Sequence, residues 1–178
     1  AWVDSRGEQR LVTMEFKAKE RVAAAPLERM LLVAPYGYNN PMARAHREPS
    51  ASMWGEVART VRAFRKKHKQ GTVVLAGDLN AASDTQLDTN KGRVGREAEA
   101  DLIESIRAMG LEDTFRARHP GTQAWTREPT GELEHIQSSR RIDHIMLTDE
   151  VATHLATRIG IHNGYAIDSD HFPVVCDI

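Results

Sequence analysis

At 178 residues, 40 % hydrophobic and with a formal net charge of −1, the chain has the size and balance of one soluble globular domain with its own core, residues 1–178. No apolar run approaches the roughly 20 residues that span a bilayer, and Ala1 to Arg10 lacks the charged-then-apolar layout of a secretory signal, so an intracellular chain, the nucleus included, or an excised piece is expected rather than a membrane partner. Cys176 is the single cysteine, which excludes an intrachain disulfide, a zinc spacing and a redox pair; its apolar surroundings from Phe172 to Ile178 predict a buried, inert thiol.

In chain order, Leu11 to Phe16 alternates like a strand, and Met30-Leu31-Leu32-Val33-Ala34 reads as a second, more buried one ended by Pro35. Turn formers from Tyr36 through Asn39 to Pro41 predict a loop leaving it. Met53, Trp54, Val57, Val61 and Phe64 fall at helical spacing between Ser50 and Lys69, with Ser50 or Ser52 available as a cap. Six basic residues and no acid lie between Arg59 and Lys69, which is the composition of a solvated helix flank or of a nucleic-acid footprint. Thr72 to Ala76 has the β-branched content of a strand buried on both faces, and it delivers Gly77-Asp78-Leu79-Asn80 to its C-terminal end. A polar loop follows, then a helix with Leu102, Ile103, Ile106 and Met109 inward, closed by Gly110. Strands interleaved with helices predict a layered α/β fold, whose sites form beyond the carboxyl ends of strands.

Three strings put short polar groups inside or beside apolar runs. Asp78 and Asn80 stand at a strand tip, where they also suit an ordinary Asx turn. Arg141-Ile142-Asp143-His144 places Asp143 within a strand, on the same face as Arg141 by two-residue alternation, and its charge needs a partner. Arg141 in an ion pair and an imidazole from elsewhere both suit it, while His144 on the opposite face reads as structural. Asp168, Ser169, Asp170 and His171 precede a further strand; His171 suits a phosphate and Asp170 a hard divalent ion, and a hydrophilic turn before Pro173 is the plainer reading.

These strings, in this order and together with Gly110 to Arg116, His119-Pro120 and Trp125-Thr126, resemble the endonuclease/exonuclease/phosphatase superfamily, of DNase I-like fold, from Gly7 onward. Within it they look most like non-LTR retrotransposon endonucleases and their apurinic-endonuclease relatives. The resemblance implies an α/β sandwich, N-terminally truncated here, and a phosphodiester hydrolase acting on nucleic acid, DNA above all. It implies Asp78 as the group that orients or deprotonates the attacking water and Asn80 as its positioner. It further implies Asp170 on the metal side with Mg2+ or Mn2+, and His171 at the phosphate, held by Asp143. Tyr36, Tyr38, Asn39, Arg116, Trp125 and Arg141 would border the substrate, although packing or solvation serves each of them equally.

The family pattern begins with a strand ending in Asn and another ending in a metal-binding Glu, both upstream of the segment that Leu11 to Phe16 resembles. Glu15 lies too close to the next strand to substitute and reads as a surface carboxylate, and Val33 stands where relatives often carry Tyr or His. An uncovered sheet face then needs a partner chain or a second copy. Starting at Ala1 favours an excised fragment; a non-catalytic nucleic-acid-binding or assembly module, or a phosphatase of the same fold with another substrate, are the alternatives.

Overall fold

The computed structural model describes residues 12–17, 29–35, 47–84, 86–90, 97–128, 139–154, 156, 158–162 and 169–177. Its elements run β1 (Val12–Lys17), β2 (Arg29–Ala34), α1 (Arg47–Lys67), β3 (Thr72–Asp78), α2 (Glu97–Arg107), β4 (Leu111–Asp113), α3 (Thr114–Arg118), β5 (Asp143–Thr148), α4 (Asp149–His154), β6 (Arg158–Ile161) and β7 (Val174–Asp177). Five strands form one sheet in the order β1-β2-β3-β5-β4, and β6 pairs with β7 in a second. Among the described strands only β2 and β3 run parallel, joined across α1 as a parallel pair requires.

Alternation along β3 decides which face is dry. Val73 and Leu75 are fully buried beneath α1 and α2, where Val57, Val61, Phe64, Ile103 and Ile106 close the main core with Leu31 and Val33. Each such side chain contributes roughly 1.5–3 kcal/mol by leaving water. The opposite face is less covered than its apolar run predicts: Val74 and Ala76 are half-buried, and Val74, Ile145 and Cys176 pack on a small cluster of Leu147, Val151, Ala152 and Ala156. Cys176 itself is half-buried rather than buried, on β7, which pairs with β6 among the described strands.

Helix α1 begins three residues before Ser50, so neither Ser50 nor Ser52 caps it. Arg59, Arg62, Lys66, Lys67 and Lys69 are exposed. The last turn of α1 leads into the start of β3, and Asp78 lies at the other end of that strand, roughly 20 Å away at about 3.3 Å per residue. That end of the basic helix therefore does not line the strand tip. Gly110, at φ 76°, ends the turn after α2 in a conformation that a side chain disfavours. Helices α3 and α4 are not among the expected elements, and at five and six residues they are too short to show a period; Asp113 caps α3 by accepting from the Arg116 N–H at 3.2 Å. Among the described residues no helix is long and apolar enough to cross a membrane.

Candidate active site

The antiparallel pairing of β3 with β5 sets Asp78 directly opposite Asp143, so two carboxylates share one end of the sheet. Gly77 permits this, since a Cβ there would overlap the Pro35 carbonyl at the end of β2. Past Asp78 the chain turns sharply: Asn80 sits at φ 50°, a left-handed conformation that Asn tolerates, with its N–H donating to Asp78 Oδ1 at 2.8 Å and its Nδ2 to Asp78 Oδ2 at 3.1 Å. Asn80 thus braces the carboxylate.

His171 arrives from the far end of the chain through a narrow ladder. Arg127 bridges both Arg140 and His171, Phe172 N–H donates to Thr126 O at 2.6 Å, and Glu128 N–H donates to Asp170 O at 2.9 Å. His171 Nδ1 then lies 2.9 Å from Asp143 Oδ2, an oxygen that also accepts from the Thr126 hydroxyl at 2.6 Å. Of the two partners open to Asp143, the structure provides the imidazole. One ligand atom each from Asp78, Asp143 and His171 lie within 4.8 Å of one another.

Burial in the company of the Asp143 charge pushes the Asp78 carboxyl up to about 6, against the pull of the Asn80 N–H and of His171. The hydrogen bond to Asp143 raises His171 in spite of partial burial, with the Asp143, Asp78 and Asp170 charges adding to it. The cleft therefore concentrates negative charge about one imidazole. Oxygen-rich and acidic, it suits a hard divalent cation. Asp170 stands beside the trio rather than within it: its Oδ1 is 4.0 Å from His171 Nε2, and its Oδ2 accepts from Arg127 Nε at 2.8 Å.

Two residues expected at the substrate border are elsewhere. Arg141 is 1 % exposed and binds Asp88 through Nε at 2.7 Å, Asp113 Oδ2 through Nη2 at 2.5 Å and Ser83 Oγ at 2.5 Å, which leaves it no face for a phosphate. It also lies within 3.2 Å of His144 Nδ1, on the side away from Asp143, because β5 begins only at Asp143 and the alternation never reaches Arg141. Arg116 is likewise turned inward, donating to Asp88 and to the carbonyls of His119 at 3.0 Å and Thr122 at 2.9 Å. Trp125 is half-buried near the ladder, its indole N–H donating to Glu128 at 2.5 Å. Tyr36, Tyr38 and Asn39 lie outside the described residues. His144 is structural as expected, held by Asp113 at 3.2 Å and by the Ala81 carbonyl at 2.7 Å.

Sequence reasoning gave no role in the site to Thr126, Asp88, Asp113 or Arg127, although Thr126 and Asp113 stand in strings that carry the family resemblance. Thr126 follows a tryptophan in a polar stretch, and only its tertiary contacts distinguish it. A buried Arg141 demanding two carboxylates was the one available signal for Asp88 and Asp113.

Residues 9–171 match the Endonuclease/Exonuclease/phosphatase family. No curated protein sequence matches the chain. Among solved structures, the 3'-5' exonuclease NExo from Neisseria meningitidis superposes with a TM-score of 0.70 at 20 % identity, over 83 % of this chain and 60 % of that one. The catalytic domain of Xenopus laevis APE2 superposes at 0.73 with 17 % identity, over 98 % of this chain and 56 % of that one. An AP endonuclease from Archaeoglobus fulgidus gives 0.63 at 16 % identity, over 97 % of this chain and 81 % of that one. The chain thus spans 56–60 % of the length of the Neisseria and Xenopus proteins. On fold and on sequence, this chain belongs to the endonuclease/exonuclease/phosphatase family.

Proposed function

We propose that the cleft hydrolyses phosphodiesters in nucleic acid, DNA above all, with residues 1–178 as part of one endonuclease/exonuclease/phosphatase domain. The observation that carries this reading is the His171–Asp143 contact at 2.9 Å with Asp78 beside it. A carboxyl raised to about 6 is largely ionised at neutral pH yet basic enough to take a proton from water. Asp78 accepts that proton as the water oxygen attacks phosphorus in line, and Asn80 keeps the receiving oxygens oriented. The bond from phosphorus to the departing sugar oxygen breaks opposite. His171, with Nδ1 committed to Asp143, turns Nε2 towards the phosphate and donates a hydrogen bond to the charge that develops on it. Mg2+ or Mn2+, held by Asp170 with the carboxylates of the cleft, would supply charge neutralisation at the leaving oxygen.

Support for nucleic acid comes from the neighbours: a Neisseria NExo structure is described as a 3' phosphatase bound to a product DNA hairpin, at 20 % identity and a TM-score of 0.69. The order of motifs favours a retroelement endonuclease in a nuclear setting as the source. The half-buried second face of β3 supports a partner chain or second copy covering it.

The test is cleavage of supercoiled plasmid, of a duplex with one abasic site and of a duplex ending in a 3'-phosphate, each with Mg2+ and with EDTA, for the wild type and His171→Ala. Metal-dependent turnover that His171→Ala reduces by about 10²-fold or more is the expected result. Salt-sensitive DNA binding without turnover on any substrate would instead favour a binding module.

A further inference from the structure

We propose that Thr126 is a positioning residue for the cleft, its hydroxyl fixing the rotation of the Asp143 carboxylate while its backbone carries the ladder that delivers His171. This inference rests on the catalytic reading of Asp143 and His171. Thr126 is fully buried. An ionised carboxylate only accepts, so the hydroxyl hydrogen points at Asp143 Oδ2, 2.6 Å away. The lone pairs of the same oxygen take the N–H groups of Ile142 at 3.1 Å and Asp143 at 3.0 Å. One donor and two acceptor positions are all in use, so the hydroxyl has no freedom to turn. Its backbone is committed as well: Thr126 N–H donates to Arg140 O at 2.9 Å, and Thr126 O accepts from Phe172 N–H at 2.6 Å, one residue beyond His171.

Two donors therefore meet on one oxygen of Asp143, and both are set by the same short segment. Without the hydroxyl the carboxylate is free to rotate about its last bond, and the imidazole that follows it loses its aim. Misplacement of a reacting group by about 1 Å costs on the order of 10²-fold in rate, whereas binding of the substrate elsewhere is unaffected. The role is distinct from packing because it resides in the hydroxyl and not in the methyl group.

Thr126→Val and Thr126→Ser in the full chain separate the two, read by kcat and KM on the best DNA substrate and by the imidazole and hydroxyl proton resonances of histidine-labelled protein. The expected result is a kcat about tenfold or more lower in Thr126→Val with KM within about twofold, and a kcat within about threefold of wild type in Thr126→Ser. In wild type, a slowly exchanging Thr126 hydroxyl proton should show through-space contact with a low-field His171 Nδ1 proton. Thr126→Val with unchanged kcat, or Thr126→Ser as impaired as Thr126→Val, overturns the proposal. Should Thr126→Val not fold, the wild-type spectrum decides alone: His171 carrying no proton on Nδ1, or no contact to the hydroxyl, overturns it. A wild type that cleaves no DNA would sink the nuclease reading, while the same spectrum still decides the positioning of Asp143 and His171.

Discussion

Two polar clusters lie within a few residues of each other and share one string, Arg141 to His144, yet they are built to opposite rules. Arg141 and His144 turn into the interior, where Asp88 and Asp113 are fully buried and each accepts at least two charged or polar donors. Burial alone would raise both carboxyls; Arg141 with Ser83 and Arg116 outweighs it at Asp88, His144 with Arg141 outweighs it at Asp113, and both are held below the ordinary range. Asp143 turns the other way, and in its cluster two carboxylates face each other with one half-exposed imidazole; burial first, and then the Asp143 charge, push Asp78 up to about 6. The first cluster is satisfied; the second is left partly unsatisfied, as the proposed uptake of a proton, a cation and a phosphate would require. The satisfied cluster anchors the loops that bear the unsatisfied one, since Leu79 N–H donates to Ile142 O at 2.9 Å and Arg141 N–H to Asp88 O at 2.9 Å.

Removing one partner should break the interior cluster most severely. Arg141→Ala leaves Asp88 and Asp113 buried without their main counter-charge and should cost about 3–5 kcal/mol, read as a lower denaturant midpoint with unchanged slope. A loss under about 1 kcal/mol would show that the interior network is not what holds these loops. Gly77→Ala should come next, at about 1–3 kcal/mol, since the overlap with the Pro35 carbonyl forces β3 from β2 and moves Asp78; cleavage should fall further than stability. An alanine variant as stable and active as wild type would contradict the close approach.

The two clusters should also separate along the pH axis. The interior carboxyls have folded values below their unfolded ones, so their stabilisation is present above about pH 4 and is lost as pH falls. Asp78 has a folded value above its unfolded one, so its contribution is present below about pH 4 and is lost as pH rises through about 6. His171 is likewise raised and contributes below about 6.5, losing its contribution as pH rises through its folded value. Cleavage should accordingly rise through about pH 6, as Asp78 ionises, and fall at higher pH as His171 loses its proton. A pH–rate profile without a limb near 6 would contradict the part given to Asp78.

What could be read in the sequence follows from the range of the interactions. Helices α1 and α2 carry periodic apolar patterns and strand β3 a short β-branched run, so their existence shows locally, and Asp78, Asp143 and His171 stand out as polar groups set against apolar runs. Their meeting in one cleft depends on the β3–β5 register and on the ladder through Arg127, which join residues far apart in the chain. Arg141 was misplaced because strand alternation was extended one turn of the pattern too far. Thr126, Asp88 and Asp113 lie in short polar segments where only tertiary contacts distinguish a structural oxygen from a solvated one.

The most direct measurement is Asp78→Asn, followed in the same preparation by denaturant unfolding at pH 7 and at pH 4 and by metal-dependent DNA cleavage. Removing a buried charge that the fold disfavours should raise stability at pH 7 by on the order of 1 kcal/mol, with little change at pH 4, while cleavage falls by about 10²-fold or more. A variant that is less stable at pH 7, or one that cleaves as well as wild type, would contradict the claim that this cleft gives up stability to hold a catalytic carboxylate.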